Sequence, residues 1–405
     1  SFWAIQSFPA LARLRENLRS ERGECPGVDS GNCTICFHRL AYARAETADL
    51  VVMNHALLLS KEWGESGLPF DRVVVDEAHN SEDAATDAAT DEIQRVGEPG
   101  LEFVNRLLDN RSGKGVLIRV RDKVRDAEGQ RLIAVALQLR NVLATLARDF
   151  GRQLRRYVEL NQVQVDPRFG ASLMLESDPR RANPTSWLPV EEAKRRLVEA
   201  LGETGAAVVR LNQWLGQFPL PAFQQETRNE LRYLADRLAE EAALLEELLK
   251  VGYDRLVKVH WVEVECIGGP EVEHQESEDR GDYSWAVKRA PVRAGPYLTD
   301  RLYFGKRTVV LTSATLRTTR ESAFGFLLDR LGLQRRVAPE DAVALPPELD
   351  YSRALFAIAR YLRSDARPSE IQNFVDEVGQ ELGWFFRFTG GNALGLFTAR
   401  VRMQE

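Results

Sequence analysis

The stretch Asp71–Asn80, DRVVVDEAHN, decides how the rest of the chain is read. Three valines run straight into two acids, Asp76 and Glu77. Continuous apolar runs suit strands buried on both faces of a parallel sheet. Acids directly after such a strand lie at its carboxyl end, where open α/β sheets place their ligands. Nucleotide hydrolysis needs one carboxylate to hold Mg²⁺ and another to orient or deprotonate the attacking water. Asp76 and Glu77 can supply both if the chain turns just past Val75 and aims them into one crevice. A pair of solvated loop acids would look the same in isolation.

Other runs fit around this one. ADLVVMNHALLLS (48–60) is a further apolar run, broken by Asn54-His55, and reads as another buried strand. TVVL (308–311) is a short buried-strand candidate that runs into Thr312-Ser313-Ala314-Thr315-Leu316. Its three small hydroxyl residues can hydrogen-bond to neighbouring loops without filling a cleft; alone they would pass for a capped turn. Between about 95 and 255, apolar residues recur at three- and four-residue spacing, as in LIAVALQLRNVLATLARDFGRQLRRYVEL, so an insertion of amphipathic helices is expected there. Its joints fall near 109–116, 176–188 and 216–222. Strand-like alternation returns in KVHWVEVE (258–265), and an acidic loop follows over 271–282.

Composition bounds the function. At roughly 150 residues per domain, 405 residues predict two to three domains. The 44% hydrophobic and 28% charged content excludes wholesale disorder and collagen-like or coiled-coil chains. No run approaches the ~18 apolar residues of a membrane span, and no cleavable leader is evident. A soluble, cytoplasmic, monomeric protein with no membrane partner is expected. Its 54 basic and 60 acidic residues give a net charge of −6, so nucleic acid would have to be met by local patches. The chain opens at Ser1 inside a helix-like pattern and ends just after a strand-like run, and reads as an internal piece of a longer protein.

Four cysteines are too few for a disulfide scaffold. Cys25, Cys33 and Cys36 cluster closely enough for one loop to gather them, which points to a metal. A four-iron cluster wants four thiolates. Zinc could take Cys25, Cys33, Cys36 and His38, although His38 lies very near Cys36 for one tetrahedral ion. Three ordinary thiols are the remaining reading. Cys266 reads as a small buried apolar residue.

DEAH with TSATL resembles motifs II and III of superfamily-two helicases. The order cysteine cluster, NHALLLS, VVVDEAHN, long helical insertion, LTSATL is similar to the DinG/XPD branch of iron–sulfur DNA helicases, and GNALGLFTAR near the end looks like its motif IV. The resemblance spans Cys25 to about Arg400. It implies an α/β fold with a RecA-like parallel-sheet motor domain, interrupted by an iron–sulfur segment and a mostly helical arch, and the start of a second RecA-like domain. On this chain that divides into 1–45 (cluster), 46–95 (first motor domain with DEAH), 96–255 (arch), 256–317 (return with SAT) and 318–405 (second motor domain). By resemblance, Asp76 would hold the Mg²⁺ shell, Glu77 would activate water and His79 would couple the nucleotide to the second motor domain. Thr312, Ser313 and Thr315 would link hydrolysis to movement on DNA. Asn54 and His55 fall beside the DNA path with no assigned step. Cys25, Cys33 and Cys36 would ligate a 4Fe-4S cluster whose fourth cysteine lies upstream of Ser1.

The implied activity is ATP-dependent, 5′-to-3′ unwinding of DNA in repair or replication, with single-stranded, forked or displaced-strand DNA and ATP as partners. Neither Gly113-Lys114 nor Gly305-Lys306 forms a phosphate loop, and the arginine-finger motif is missing. Residues 1–405 alone are therefore expected neither to bind ATP tightly nor to unwind DNA. For DNA contact, positive grooves and aromatic platforms are wanted. Arg39 and Arg44 follow the cluster on a helix. Arg119, Arg121, Lys123 and Arg125 alternate as on a strand, Arg152, Arg155, Arg156 and Tyr157 share about one helical turn, and Lys288, Arg289 and Arg293 form a third stretch; each can equally be a solvated surface. Competing readings are a non-catalytic, metal-containing DNA-binding module, an RNA-unwinding DEAH helicase, and a helical protein scaffold.

Overall fold

The computed structural model describes residues 37–60, 70–96, 100–101, 104, 108, 115–161, 163, 170–175, 178–218, 222–250, 257–266, 283–317, 324–346, 352, 358 and 371–396. Its main elements, in chain order, are α1 (Phe37–Thr47), α2 (His55–Leu59), β1 (Arg72–Val75), α3 (Ser81–Ala89), β2 (Asp91–Gln94), α4 (Val116–Lys123), α5 (Ala127–Leu160), β3 (Ala171–Met174), α6 (Pro184–Leu215), α7 (Ala222–Leu248), β4 (Lys258–Cys266), β5 (Tyr283–Pro291), β6 (Thr308–Leu311), α8 (Gly325–Arg330) and α9 (Ile371–Phe388). The chain is mixed α/β and divides into two units, Ser1–Ala342 and Val343–Glu405. In the second unit, α9 carries Trp384 stacked on Phe388 with ring centroids 5.2 Å apart.

Two separate apolar cores organise the first unit. The smaller one surrounds a two-stranded parallel sheet in which β1 pairs with β6, Val75 opposite Leu311. Val75, Leu59 from α2, Ala85 from α3, and Leu298, Leu302, Leu331 and Leu333 from the later chain fill it. Leu331 and Leu333 tie the segment around α8 into this core. The approach is close: a Cβ on Gly295 would lie 2.8 Å from the Cα of Gly332, which itself has φ +72°. Only backbone without side chains fits there.

The larger core is the insertion. Helices of 34, 32 and 27 residues, α5, α6 and α7, bury long apolar stripes against one another. Asp126 caps α5 by accepting from Gly129 N at 3.0 Å, and Pro184 opens α6 where its missing N–H has no partner to lose. Cross-contacts give the directions. Tyr157 meets Trp187 edge-on, Asp149 pairs with Arg196, and Trp214 lies over Gly129, so α6 runs antiparallel to α5. Lys194 pairs with Glu246 while Asn212 accepts from Arg228, so α7 runs back again. A Cβ at Gly129 would fall 2.4 Å from Trp214, so a glycine is required at this crossing.

Against the helices lies a four-stranded antiparallel sheet of order β2-β5-β4-β3. Leu173, Val262, Val287 and Ile93 stand in one register row across it, with Val262, Val287 and Ile93 fully buried. Trp285 donates its indole N–H to Ala147 O of α5 at 2.7 Å and meets Phe150 edge-on at 4.8 Å, which fastens sheet to bundle.

Several expectations change. The insertion takes in β2, β4 and β5 as well as the helices: its buried core runs from Ile93 to Val287, and the chain rejoins the smaller core at Ala294. Residues 48–53 form no strand; Leu50 is 80% and Val52 88% exposed, while the chain coils into α2 at His55. The three valines are buried on one face only, because Val74 is 69% exposed and nothing among the described residues covers it. Arg119, Arg121 and Lys123 lie on a helix, α4, whose inward positions Val116, Leu117 and Val120 follow helical spacing. The alternation of basic residues had no strand beneath it.

Candidate functional site

Both motifs that stand out in the sequence leave the parallel sheet at the same end. The backbone joins them: Thr312 N donates to Val75 O at 2.9 Å, and Ala78 N donates to Thr312 O at 3.0 Å. Past Val75 the chain turns sharply. Glu77 has φ 49° and ψ 45°, the single non-glycine residue in the left-handed region among the described residues. For a residue with a Cβ that conformation costs about 1–2 kcal/mol, and such strain clusters at functional sites. The turn reverses the chain into a short 3₁₀ turn, Ala78–Asn80, with Ala78 fully buried as its anchor.

The side chains then converge. Ser313 Oγ lies 3.0 Å from Glu77 Oε2 and 2.7 Å from His79 Nδ1, and it accepts from Thr315 N at 3.2 Å. Thr315 Oγ1 is 3.2 Å from His79 Nδ1, and Glu77 Oε2 is 3.3 Å from the same nitrogen. One assignment satisfies every group. Ser313 donates its only hydroxyl proton to Glu77, and His79 carries a proton on Nδ1 that points into the three oxygens. Asp76 Oδ1 stands apart from this cluster, 3.5 Å from Thr312 Oγ1. The two acids therefore both reach the 312–315 segment, and both are exposed to solvent.

A third segment supports them. His55 heads α2, and its Nε2 lies 2.8 Å from Asp76 O. Asn54 caps that helix by accepting from Leu57 N at 2.8 Å. Tyr297 donates to Leu59 O at 2.7 Å, and burial raises its phenol above the ordinary value, which keeps the proton in place. Asn54 and His55 thus gain defined positions that sequence reading left without a role. The signal was present: an Asn cap and a histidine opening a five-residue helix.

Most of the expected cationic contacts are spoken for. Arg152 pairs with Asp149 at 3.2 Å and Arg155 with Glu159 at 2.7 Å. Arg119 is bound by Glu230, and Arg121 reaches Asp122 at 3.4 Å. Lys288 sits between Glu92 and Glu263, Arg289 is buried between Asp91 and Glu247, and Arg293 meets Asp329. Tyr157 is buried against Trp187 and offers no platform for a base. Some pairings are local, Arg152 and Arg155 meeting acids one helical turn away and Lys288 meeting acids on neighbouring strands, while Arg119 and Arg293 find theirs on distant segments. Arg39, Arg44 and Arg156 are exposed and make no ion pair among the described residues. Arg156 lines a cavity of ≈ 510 Å³ with Gln153, Leu160, Asn183, Thr185 and Ser186.

No protein-family model and no curated protein matches the chain. Among the described residues no group of three or more His, Cys, Asp or Glu side chains forms a metal cage, and no helix is long and apolar enough to cross a membrane. Cys25, Cys33, Cys36 and the acidic loop over 271–282 lie outside the described residues, as does the side chain of Cys266. A Mg²⁺ ion held with phosphates needs one or two carboxylates and waters; the exposed Asp76 at the strand end fits that requirement.

Proposed function

We propose that this chain carries the hydrolytic half of an ATP-driven DNA helicase motor, of the type its DinG/XPD resemblance implies. The observation that carries the reading is the Glu77–Ser313–His79–Thr315 cluster, which joins Glu77 and His79 to a segment 236 residues away in sequence. In this reading Asp76 would hold Mg²⁺ through water, and that charge would offset the charge of bound phosphates. Glu77 accepts the proton of the water that attacks the γ-phosphate. With Oε2 engaged by Ser313, its other oxygen would be left to take that proton. His79, Ser313 and Thr315 hold that carboxylate in place and report its state to the strand β6 and whatever follows it. Cys25, Cys33 and Cys36 are assigned to an iron–sulfur cluster, through which no step of hydrolysis runs. Anaerobically purified full-length protein should then contain iron and sulfide, and a metal-free or zinc-only protein would remove that assignment.

The central test is Glu77→Gln in the full-length protein. ATP hydrolysis stimulated by single-stranded DNA is expected to fall about 10²- to 10⁴-fold, the range for losing a general base, with DNA binding retained. Wild-type protein that binds single-stranded DNA but shows no ATP hydrolysis for the substitution to remove would favour a non-catalytic DNA-binding module. Stimulation by RNA in place of DNA would favour an RNA helicase.

A further inference from the structure

We infer that His55 is a positioning residue that sets the geometry of the acid pair; the inference rests on the hydrolytic reading of Asp76 and Glu77. A carbonyl oxygen has no proton, so the 2.8 Å contact to Asp76 O requires His55 to donate from Nε2. That carbonyl belongs to the peptide plane between Asp76 and Glu77. Its orientation fixes ψ of Asp76 and φ of Glu77 together, and φ of Glu77 is the strained 49°. The sheet holds the chain on either side of this plane, through Val75 O and Ala78 N, and not at it. His55 supplies the missing restraint.

The ring is itself held. Asn54 caps its helix, Leu59 at the other end is 1% exposed in the same core as Val75, and Tyr297 donates to Leu59 O. An imidazole anchored at both ends of a short helix can keep a carbonyl in place where solvent cannot. Without it, the Asp76–Glu77 peptide is free to rotate out of the left-handed region, and Glu77 loses its alignment with Ser313.

His55→Ala and His55→Gln, made in the full-length protein beside Glu77→Gln, test this. His55→Ala is expected to lower kcat for ATP hydrolysis about 10- to 100-fold, the scale of a misplacement near 1 Å. KM for ATP should stay within about threefold, and Tm should stay near wild type. His55→Gln, whose amide can donate to the same carbonyl, should recover much of the loss. A crystal structure of His55→Ala should show Glu77 out of the positive-φ region. If His55→Ala keeps wild-type kcat while Glu77→Gln abolishes turnover, the inference fails and the hydrolytic reading stands. Joint loss of kcat, KM and Tm without rescue by glutamine would mean a merely structural role and also overturn it, as would Glu77 keeping its positive φ without the ring. If Glu77→Gln leaves turnover intact, the underlying reading has failed and the inference falls with it.

Discussion

Glu241 shows how one carboxyl group can oppose the helical bundle it belongs to. It is 5% exposed, and its Oε2 has no hydrogen-bond partner, while Oε1 accepts from Arg237 at 2.6 Å. Burial raises its pKa above the usual glutamate range; Arg237 pulls it partly back, and Glu240 pushes it up again. A carboxyl raised on folding binds its proton more tightly in the native state. Stability is then greatest below the unfolded pKa, about 4.3, and declines as pH rises through the folded pKa. Glu241→Gln removes that charge and keeps an acceptor for Arg237. It is expected to raise Tm at pH 8, with the difference shrinking toward pH 4; thermal melts at both values check this, and an equal or lower Tm at pH 8 would refute it. Lys194 shows a buried charge met from two sides. It is 2% exposed but lies 2.8 Å from Glu191 and 3.4 Å from Glu246. At this scale the sequence marks out Asp76 and Glu77 after one apolar run and Ser313 and Thr315 after another, while His79 enters only through the resemblance. The side chains of Glu77, His79, Ser313 and Thr315 lie together. The role of His55 could not be read there, because its partner is a backbone atom, and backbone atoms leave no mark in composition.

At the level of elements, legibility followed how much of an element's pattern came from burial. The alternation in KVHWVEVE matched β4, since Val262 and Val264 face the core and Glu263 faces out to Lys288. Its partner β5, YSWAVKRAP, carries no such clean alternation. Arg289 occupies an inward position there, satisfied by Asp91 at 2.6 Å and Glu247 at 2.8 Å, so a buried row holds a charge that sequence patterning assigns to solvent. The α4 segment misled in the opposite way. Its basic residues alternate by chance, while the apolar residues that govern its packing keep a helical period. The run at 48–53 looked apolar enough for a strand, but a strand also needs a neighbour to pair with. None is present beside it among the described residues.

For the whole first unit, the chain builds one core, leaves it to build a second, and returns. No residue is shared: the insertion's core draws on residues between Ile93 and Val287, and the host's on residues up to Ala85 and from Ala294 onward. Independent cores unfold independently when the link between them is thin. Calorimetry is therefore expected to resolve two transitions, and residues 91–291 expressed alone should unfold cooperatively near one of them. A single transition for the intact chain would mean that the cores are energetically joined.

The two strands through which the chain enters and leaves the insertion are neighbours, Asp91 opposite Arg289. A body tethered at one paired doorway behaves as a crank on a single shaft: a pull on the far end of the long helices arrives at the host as twist on β2 and β5, next to the end of α3, the helix that follows the acids.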